Sequence, residues 1–193
     1  MIGRRYYWTA LVGVCALGGG LALAQEGEEN REALIKAAYL YNFAVHSEWP
    51  KNAAGGARDK FCIGILGGGD LSPFLKKIAA TKTVQEKPIE LSQFASVADY
   101  KPCHLLFIAH EPATGRKESA AERLEAALKQ IKNAPVLIVT ESDGLAQKGA
   151  TINFYIEENK VKFEVNLDAV KRADLQISSK VLRLGKIIQS TKK

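Results

Sequence analysis

Two short apolar runs, each entered through a cysteine, most constrain what this chain can fold into. Phe61-Cys62-Ile63-Gly64-Ile65-Leu66 leads into Gly67-Gly68-Gly69-Asp70, and Cys103-His104-Leu105-Leu106-Phe107-Ile108 leads into a loop at His110–Gly115. Apolar runs of this length without alternation, bounded by turn residues, are the pattern of strands buried on both faces, as in parallel sheets covered by helices. Two such runs with cysteine at the same end read as neighbouring parallel strands, stapled at their N-terminal edge, with the rest of the chain packed around them.

The flanking segments extend that plan. Asn30 can cap a helix from Arg31 to about His46, with Leu34, Ala38, Tyr41 and Val45 at helical spacing and Ile35 and Tyr39 widening the apolar stripe. Trp49-Pro50 ends it, and Lys51–Lys60 is a loop. After the first strand come a helix over about Ser72–Ala80, with Pro73 in its first turn, and an edge strand at Pro88–Leu91. A helical turn at Ser96–Tyr100 precedes the second strand. Glu118–Lys132 is amphipathic, with Leu124, Leu128 and Ile131 on one side, and Pro135–Thr140 is another apolar strand. The ending alternates instead: Thr151–Ile156 and Lys160–Val165 form a half-exposed antiparallel hairpin around Glu157-Glu158-Asn159. Asn166 can cap a segment over Leu167–Ala173, and Ser178 or Ser179 a final helix reaching about Ser190. The predicted fold is a single α/β domain with a largely parallel central sheet, a C-terminal antiparallel hairpin and flanking helices.

Residues 1–24 read as a secretory leader. Arg4-Arg5 opens it, Trp8–Leu23 is apolar with a glycine break, and Ala22-Leu23-Ala24 supplies small residues before a cut at Gln25. The run is short for a retained anchor, and no later stretch could span a bilayer, so residues 25–193 are expected to be one soluble exported domain. With Cys15 removed, Cys62 and Cys103 form an even pair in an oxidising compartment, which favours a disulfide over two buried thiols. Charge is uneven: residues 25–158 hold 16 basic and 18 acidic side chains, residues 159–193 hold 9 and 3. A basic C-terminal segment on an exported protein points to an acidic protein partner or anionic headgroups, not nucleic acid, unless it is simply a solvated face.

Catalytic patterns are wanting. Gly67–Asp70 stands where phosphate loops stand, but lacks the lysine and hydroxyl residue of a P-loop and the spacing of a dinucleotide fingerprint, so it reads as a tight turn. His46, His104 and His110 form no metal spacing, and His104 reads as a satisfied core residue. No GxSxG elbow is present. Glu141-Ser142-Asp143 follows an apolar strand, where sites on parallel sheets occur, yet a capping turn accounts for it. The residues predict a binding or regulatory domain with no catalytic residue, metal or cofactor.

Several segments together resemble the YfiR-like family of periplasmic proteins: Ile35–Ala44 leading to Glu48-Trp49-Pro50; Cys62–Gly67; Cys103–Ile108; Gly149, Ile152-Asn153-Phe154 and Lys160–Asn166; and Ile177–Leu182. The resemblance implies a non-enzymatic α/β domain, often a homodimer, that binds the periplasmic sensor region of an inner-membrane diguanylate cyclase and represses it. An outer-membrane lipoprotein can sequester such a repressor, raising cyclic di-GMP and biofilm formation. Other members serve histidine kinases. The family's shared cysteine pair falls on Cys62 and Cys103, whereas a second pair found in some members is missing, since Thr140–Thr151 holds no cysteine. Candidate partner contacts are Tyr41 and Trp49 as anchors and Lys171, Arg172, Arg183 and Lys186 toward an acidic surface. Tyr41 and Trp49 can equally close the core. The rival reading is a small-molecule sensor or carrier with a pocket near Tyr41, Trp49 and the strand ends.

Overall fold

The computed structural model describes residues 19–50, 53 and 59–190. The expected leader and the expected Lys51–Lys60 loop lie mostly outside these. In chain order the elements are α1 (Gly19–Val45), β1 (Ser47–Glu48), β2 (Phe61–Leu66), α2 (Leu71–Thr81), β3 (Thr83–Val84) and β4 (Lys87–Phe94). A 3₁₀ turn at Val97–Asp99 leads to β5 (Leu105–Ile108), α3 (Ala120–Ile131), β6 (Leu137–Thr140), β7 (Ile152–Glu157) and β8 (Lys160–Asn166). The chain then forms α4 (Leu167–Arg172), β9 (Gln176–Ile177), α5 (Ser179–Leu182) and β10 (Lys186–Ile188).

Eight strands form one sheet in the order β10-β8-β7-β6-β5-β2-β4-β3, and β1 pairs with β9 separately. β4, β2, β5, β6 and β7 run parallel, with Phe61 opposite Ile89, Ile63 opposite Leu105, and Leu105 opposite Leu137. The two cysteine-entered runs are thus adjacent parallel strands, as expected, and both are buried throughout. β7 and β8 form the antiparallel hairpin. Glu158 and Asn159 take φ of 51° and 57°, the left-handed pair of a two-residue turn whose twist matches its strands. The mixed α/β architecture is the one the sequence predicts.

One face of the sheet is covered by α1 and α2, the other by α3. On the first, Phe43 of α1 meets Phe163 edge-on at 4.9 Å and stacks with Phe154 at 5.7 Å. On the second, Leu124, Ala127 and Ile131 of α3 lie in one cluster with Leu66, Leu106 and Ile138. Ser119 caps α3 in a reciprocal box with Glu122, and Asn166 Oδ1 accepts the Asp168 and Ala169 amides to start α4.

Three expectations need correction. Asn30 is not a cap, because α1 begins at Gly19; the good helix formers Leu21–Gln25 and Glu28-Glu29 carry the helix past it. The inward face of α1 is Ala33, Lys36, Ala37, Leu40, Phe43 and Ala44, one residue round from the predicted stripe, which leaves Leu34 and Val45 exposed. The predicted final helix stops at Leu182, and Lys186–Ile188 is instead an edge strand parallel to β8.

Cys62 and Cys103 are both buried in the α3-side layer. Cys62 Sγ lies 3.4 Å from Glu90 Oε2. A Cβ on Gly64 would stand 2.8 Å from Phe94 Cε2 and 3.1 Å from both Cys103 Sγ and Leu106 Cδ1. Gly64→Ala therefore overpacks a closed layer, and urea titration should show a loss of about 1–3 kcal/mol.

Candidate functional site

The parallel strands are ordered β4-β2-β5-β6-β7, so the chain leaves β2 to one side and returns on the other. The reversal falls between β2 and β5, and in open α/β sheets ligands favour the crevice outside the carboxyl ends of the strands there. Three segments meet at this end: Gly67–Asp70, Ala109–Glu111 and Glu141–Asp143.

The crevice itself is closed by backbone. Gly67 and Gly69 take φ of 109° and 106°, which glycine tolerates. The Gly67 amide donates to Phe94 O at 3.1 Å and the Gly68 amide to Glu111 O at 3.0 Å. Two amides that a phosphate would need are already bonded, in agreement with the plain-turn reading.

Below the crevice lies Arg123 of α3, only 2% exposed. Its guanidinium donates to Ala109 O at 2.6 Å, to His110 O at 2.9 Å and to Glu118 O. Burial pushes its pKa down from the ordinary guanidinium value, against the pull of Glu118 and Glu111. The side chain thus gathers both ends of the β5–α3 loop.

Beside the crevice, Lys36 turns inward from α1 and donates to Glu141 Oε2 at 2.6 Å while pairing with Glu32. Burial works to lower the ammonium's pKa, but Glu141 and Glu32 together outweigh it and hold it above the ordinary lysine value. Glu141 Oε1 also accepts the His110 amide at 2.7 Å. Clefts of about 160 and 270 Å³ flank this centre; Gly69 and Asp70 line the first, Asp143, Phe154 and Ile156 the second. Both fall below the usual range of small-molecule pockets, about 300–1,000 Å³. Glu141 is therefore an ion-pair partner and not part of a capping turn.

His110 Nδ1 stands 2.9 Å from Ser142 Oγ, and its Nε2 is 3.9 Å from Glu111 Oε1. The order hydroxyl, imidazole, carboxylate invites comparison with a nucleophile and its base. The His110 and Glu111 side chains are 68% and 72% exposed, and 3.9 Å is no hydrogen bond, so Glu111 does not orient the imidazole. Among the described residues no group of three or more His, Cys, Asp or Glu could hold a metal.

The residues singled out from sequence are dispersed. Trp49 Nε1 donates to His104 O at 3.1 Å and its ring meets Phe61 edge-on at 5.2 Å, beside the start of β2. Tyr41 is half-buried and its hydroxyl donates to Thr83 O at 3.3 Å, at β3. These different partners do not frame a common pocket. His104 is buried, accepts the Cys62 amide on Nδ1 at 2.9 Å and stacks on Phe61 at 4.5 Å, the satisfied core residue expected. Lys171, Arg172, Arg183 and Lys186 are exposed. Arg172 Nη1 and Asn166 Nδ2 donate to Ser190 Oγ, whose amide donates to Asp168 Oδ2, latching the stretch after β10 to α4. Sequence reasoning missed the Lys36–Glu141 pair and Arg123. The signal for each was a lone charge inside a helix's apolar set, which requires a buried partner.

Fold and site together define an α/β domain whose open end carries a structural ion pair and a closed turn in place of a preorganised catalytic centre. The chain belongs to the YfiR/HmsC-like family, whose model matches residues 33–186. Members of that family are periplasmic regulators linked to cyclic di-GMP signalling. No curated protein matches the chain in sequence. Among solved structures, a conserved domain protein from Vibrio cholerae is similar in fold, with a TM-score of 0.54 at 11% identity. The ABC domain from Streptococcus pneumonia in complex with L-Trp reaches 0.50, also at 11%. In both cases 81% of this chain is covered, and it spans 60% of the other chain's length.

Proposed function

We propose that the protein is an exported repressor that binds the periplasmic sensor region of an inner-membrane diguanylate cyclase and holds the enzyme inactive, lowering cyclic di-GMP. The family match over residues 33–186 carries this reading. The surface best suited to the contact is the β10 edge. There Leu184 and Ile187 are 74% and 44% exposed, Arg183 and Lys186 stand beside them, and β10 ends the sheet order. An edge strand with exposed apolar and basic side chains suits an acidic, extended segment of a partner. Arg172 and Lys171 lie where α4 meets the end of that edge.

A photo-crosslinker in place of Leu184 in the periplasm is expected to capture an inner-membrane protein with a cyclase domain, and deletion of the gene to raise cyclic di-GMP. Recovery of no membrane sensor, with unchanged cyclic di-GMP, would sink the proposal. Capture of a histidine kinase would keep the contact and reassign the enzyme.

A further inference from the structure

We infer that the outer edge of β4 is a docking edge, one that takes a short extended segment of an acidic protein partner as an added strand. The observation behind it is the way the backbone of β4 points. Gln85 and Glu86 take φ of 50° and 65°, the left-handed pair of the two-residue turn that joins β3 to β4. Val84 lies opposite Lys87 across that turn, and the pair flanking such a turn exchanges both backbone hydrogen bonds. The N–H and C=O of Lys87 therefore point outward to β3, and by alternation those of Ile89, Leu91 and Gln93 point the same way. Phe94 O accepts the Gly67 amide on the inner side, as that alternation requires. β3 is matched only to Lys87 and Pro88 and ends the sheet order, so the later half of β4 has no strand beside it. Leu91 and Gln93 thus offer two donors and two acceptors at the spacing of a strand.

A groove of about 570 Å³ lies beside this open stretch, lined by Ser92, Gln93 and Phe94 of β4 and by Tyr100 and Lys101 of the loop that follows. Phe94 and Tyr100 meet edge-on at 5.8 Å and give it an apolar floor. A strand added here alternates its side chains across the sheet, so every second one falls over that floor. The others face α2, where Ser72 Oγ stands 3.4 Å from Gln93 Oε1 and exposed Lys76 comes one turn further along the helix.

The charges choose the occupant. Lys76 and Lys101 are exposed, and neither has an ion-pair partner among the described residues. The nearby carboxylates are engaged: Asp99 Oδ2 accepts the Ser96 amide at 3.0 Å and its hydroxyl at 2.8 Å, and Glu90 pairs with Lys60 at 3.4 Å. Lysines on an open edge repel the same edge of another copy and attract a strand that carries carboxylates. The fit is to an extended acidic segment with apolar residues at alternate positions. The inference stands apart from the regulatory reading, which uses β10 at the other end of the sheet order, and its test uses the purified chain alone.

The test is an NMR titration of the isotope-labelled chain with a capped heptapeptide, Glu-Val-Glu-Phe-Glu-Val-Glu. The amides of Leu91 and Gln93 should shift most, and should exchange with solvent at least threefold more slowly when the peptide is bound. The same peptide with lysine at each glutamate should bind at least tenfold more weakly. Gln93→Pro removes one outward donor at a place where an edge strand tolerates proline, and should weaken binding at least tenfold in a folded chain. Should that variant fail to fold, Lys76→Glu/Lys101→Glu decides: it should lose the glutamate peptide and gain the lysine one, a reversal that a folding defect does not give. A glutamate peptide that leaves Leu91 and Gln93 unshifted at millimolar concentration would overturn the inference. So would shifts gathered on β10, equal affinity for the two peptides, or unchanged binding by a folded Gln93→Pro chain.

Discussion

Replacing Lys36 with methionine is expected to lower the thermal unfolding midpoint by roughly 10 °C, the consequence of losing about 3–5 kcal/mol when one member of a buried ion pair is removed. Both partners are largely enclosed, with side chains 11% and 12% exposed, so the orphaned Glu141 carboxylate cannot simply turn to water. The double variant Lys36→Met/Glu141→Leu should recover most of the loss, less about 1 kcal/mol for the bond that Glu141 accepts from the His110 amide. A double variant as unstable as the single would show that packing, not pairing, makes Lys36 important. Because the folded-state ammonium is held above the ordinary lysine value of 10.5, its contribution is fully present below that pH. It is lost as pH rises through the folded value. The difference between wild type and Lys36→Met should therefore stay level from neutral pH upward and close only in strongly alkaline buffer.

Cys62→Ser is expected to lower the midpoint by a similar amount in oxidising buffer, if Cys62 and Cys103 are joined as we propose for the exported protein. Closing a loop of about 42 residues stabilises by roughly 3–4 kcal/mol on the chain-entropy model. The two residues lie in one buried layer, and the missing Cβ of Gly64 leaves room for Cys103 Sγ on the strand that carries Cys62. In reducing buffer the gap between variant and wild type should shrink. The variant should show one titratable thiol after denaturation without reductant and the wild type none. Two titratable thiols in the wild type, together with an unchanged melt, would remove the staple.

The parts of the fold that could be read from sequence are those where several local signals agree. β2, β5 and β6 are continuous apolar runs bounded by glycine or proline, and the Asn166 cap has its amides in the expected place. The face of α1 could not be read, because Leu34, Ile35, Ala37, Ala38, Leu40, Tyr41 and Phe43 surround the helix almost completely. With apolar residues on every side, periodicity does not choose a face; the aromatic layer of Phe154 and Phe163 does. β10 was hidden for a different reason. Lys186–Ile188 is too short to declare itself, and it continues a helical pattern. Gly185 was the overlooked breaker: a Cβ there would stand 2.4 Å from Phe163 Cε2, so the backbone must run hard against β8. At the candidate site, Glu141 could be found by position after β6, but Lys36 lies 105 residues away, a separation that only tertiary packing resolves.

The Arg123 anchor has a consequence for acid tolerance. A loop held by a histidine or a carboxylate loosens when the medium acidifies, because the holding group gains a proton. The β5–α3 loop hangs from a guanidinium that keeps its charge throughout, and it is gripped at backbone carbonyls of Ala109, His110 and Glu118, which have no proton to exchange. Lowered as its pKa is by burial, the Arg123 guanidinium stays a cation through the acidic and neutral range. In a compartment whose acidity follows the surroundings, that loop should hold one shape.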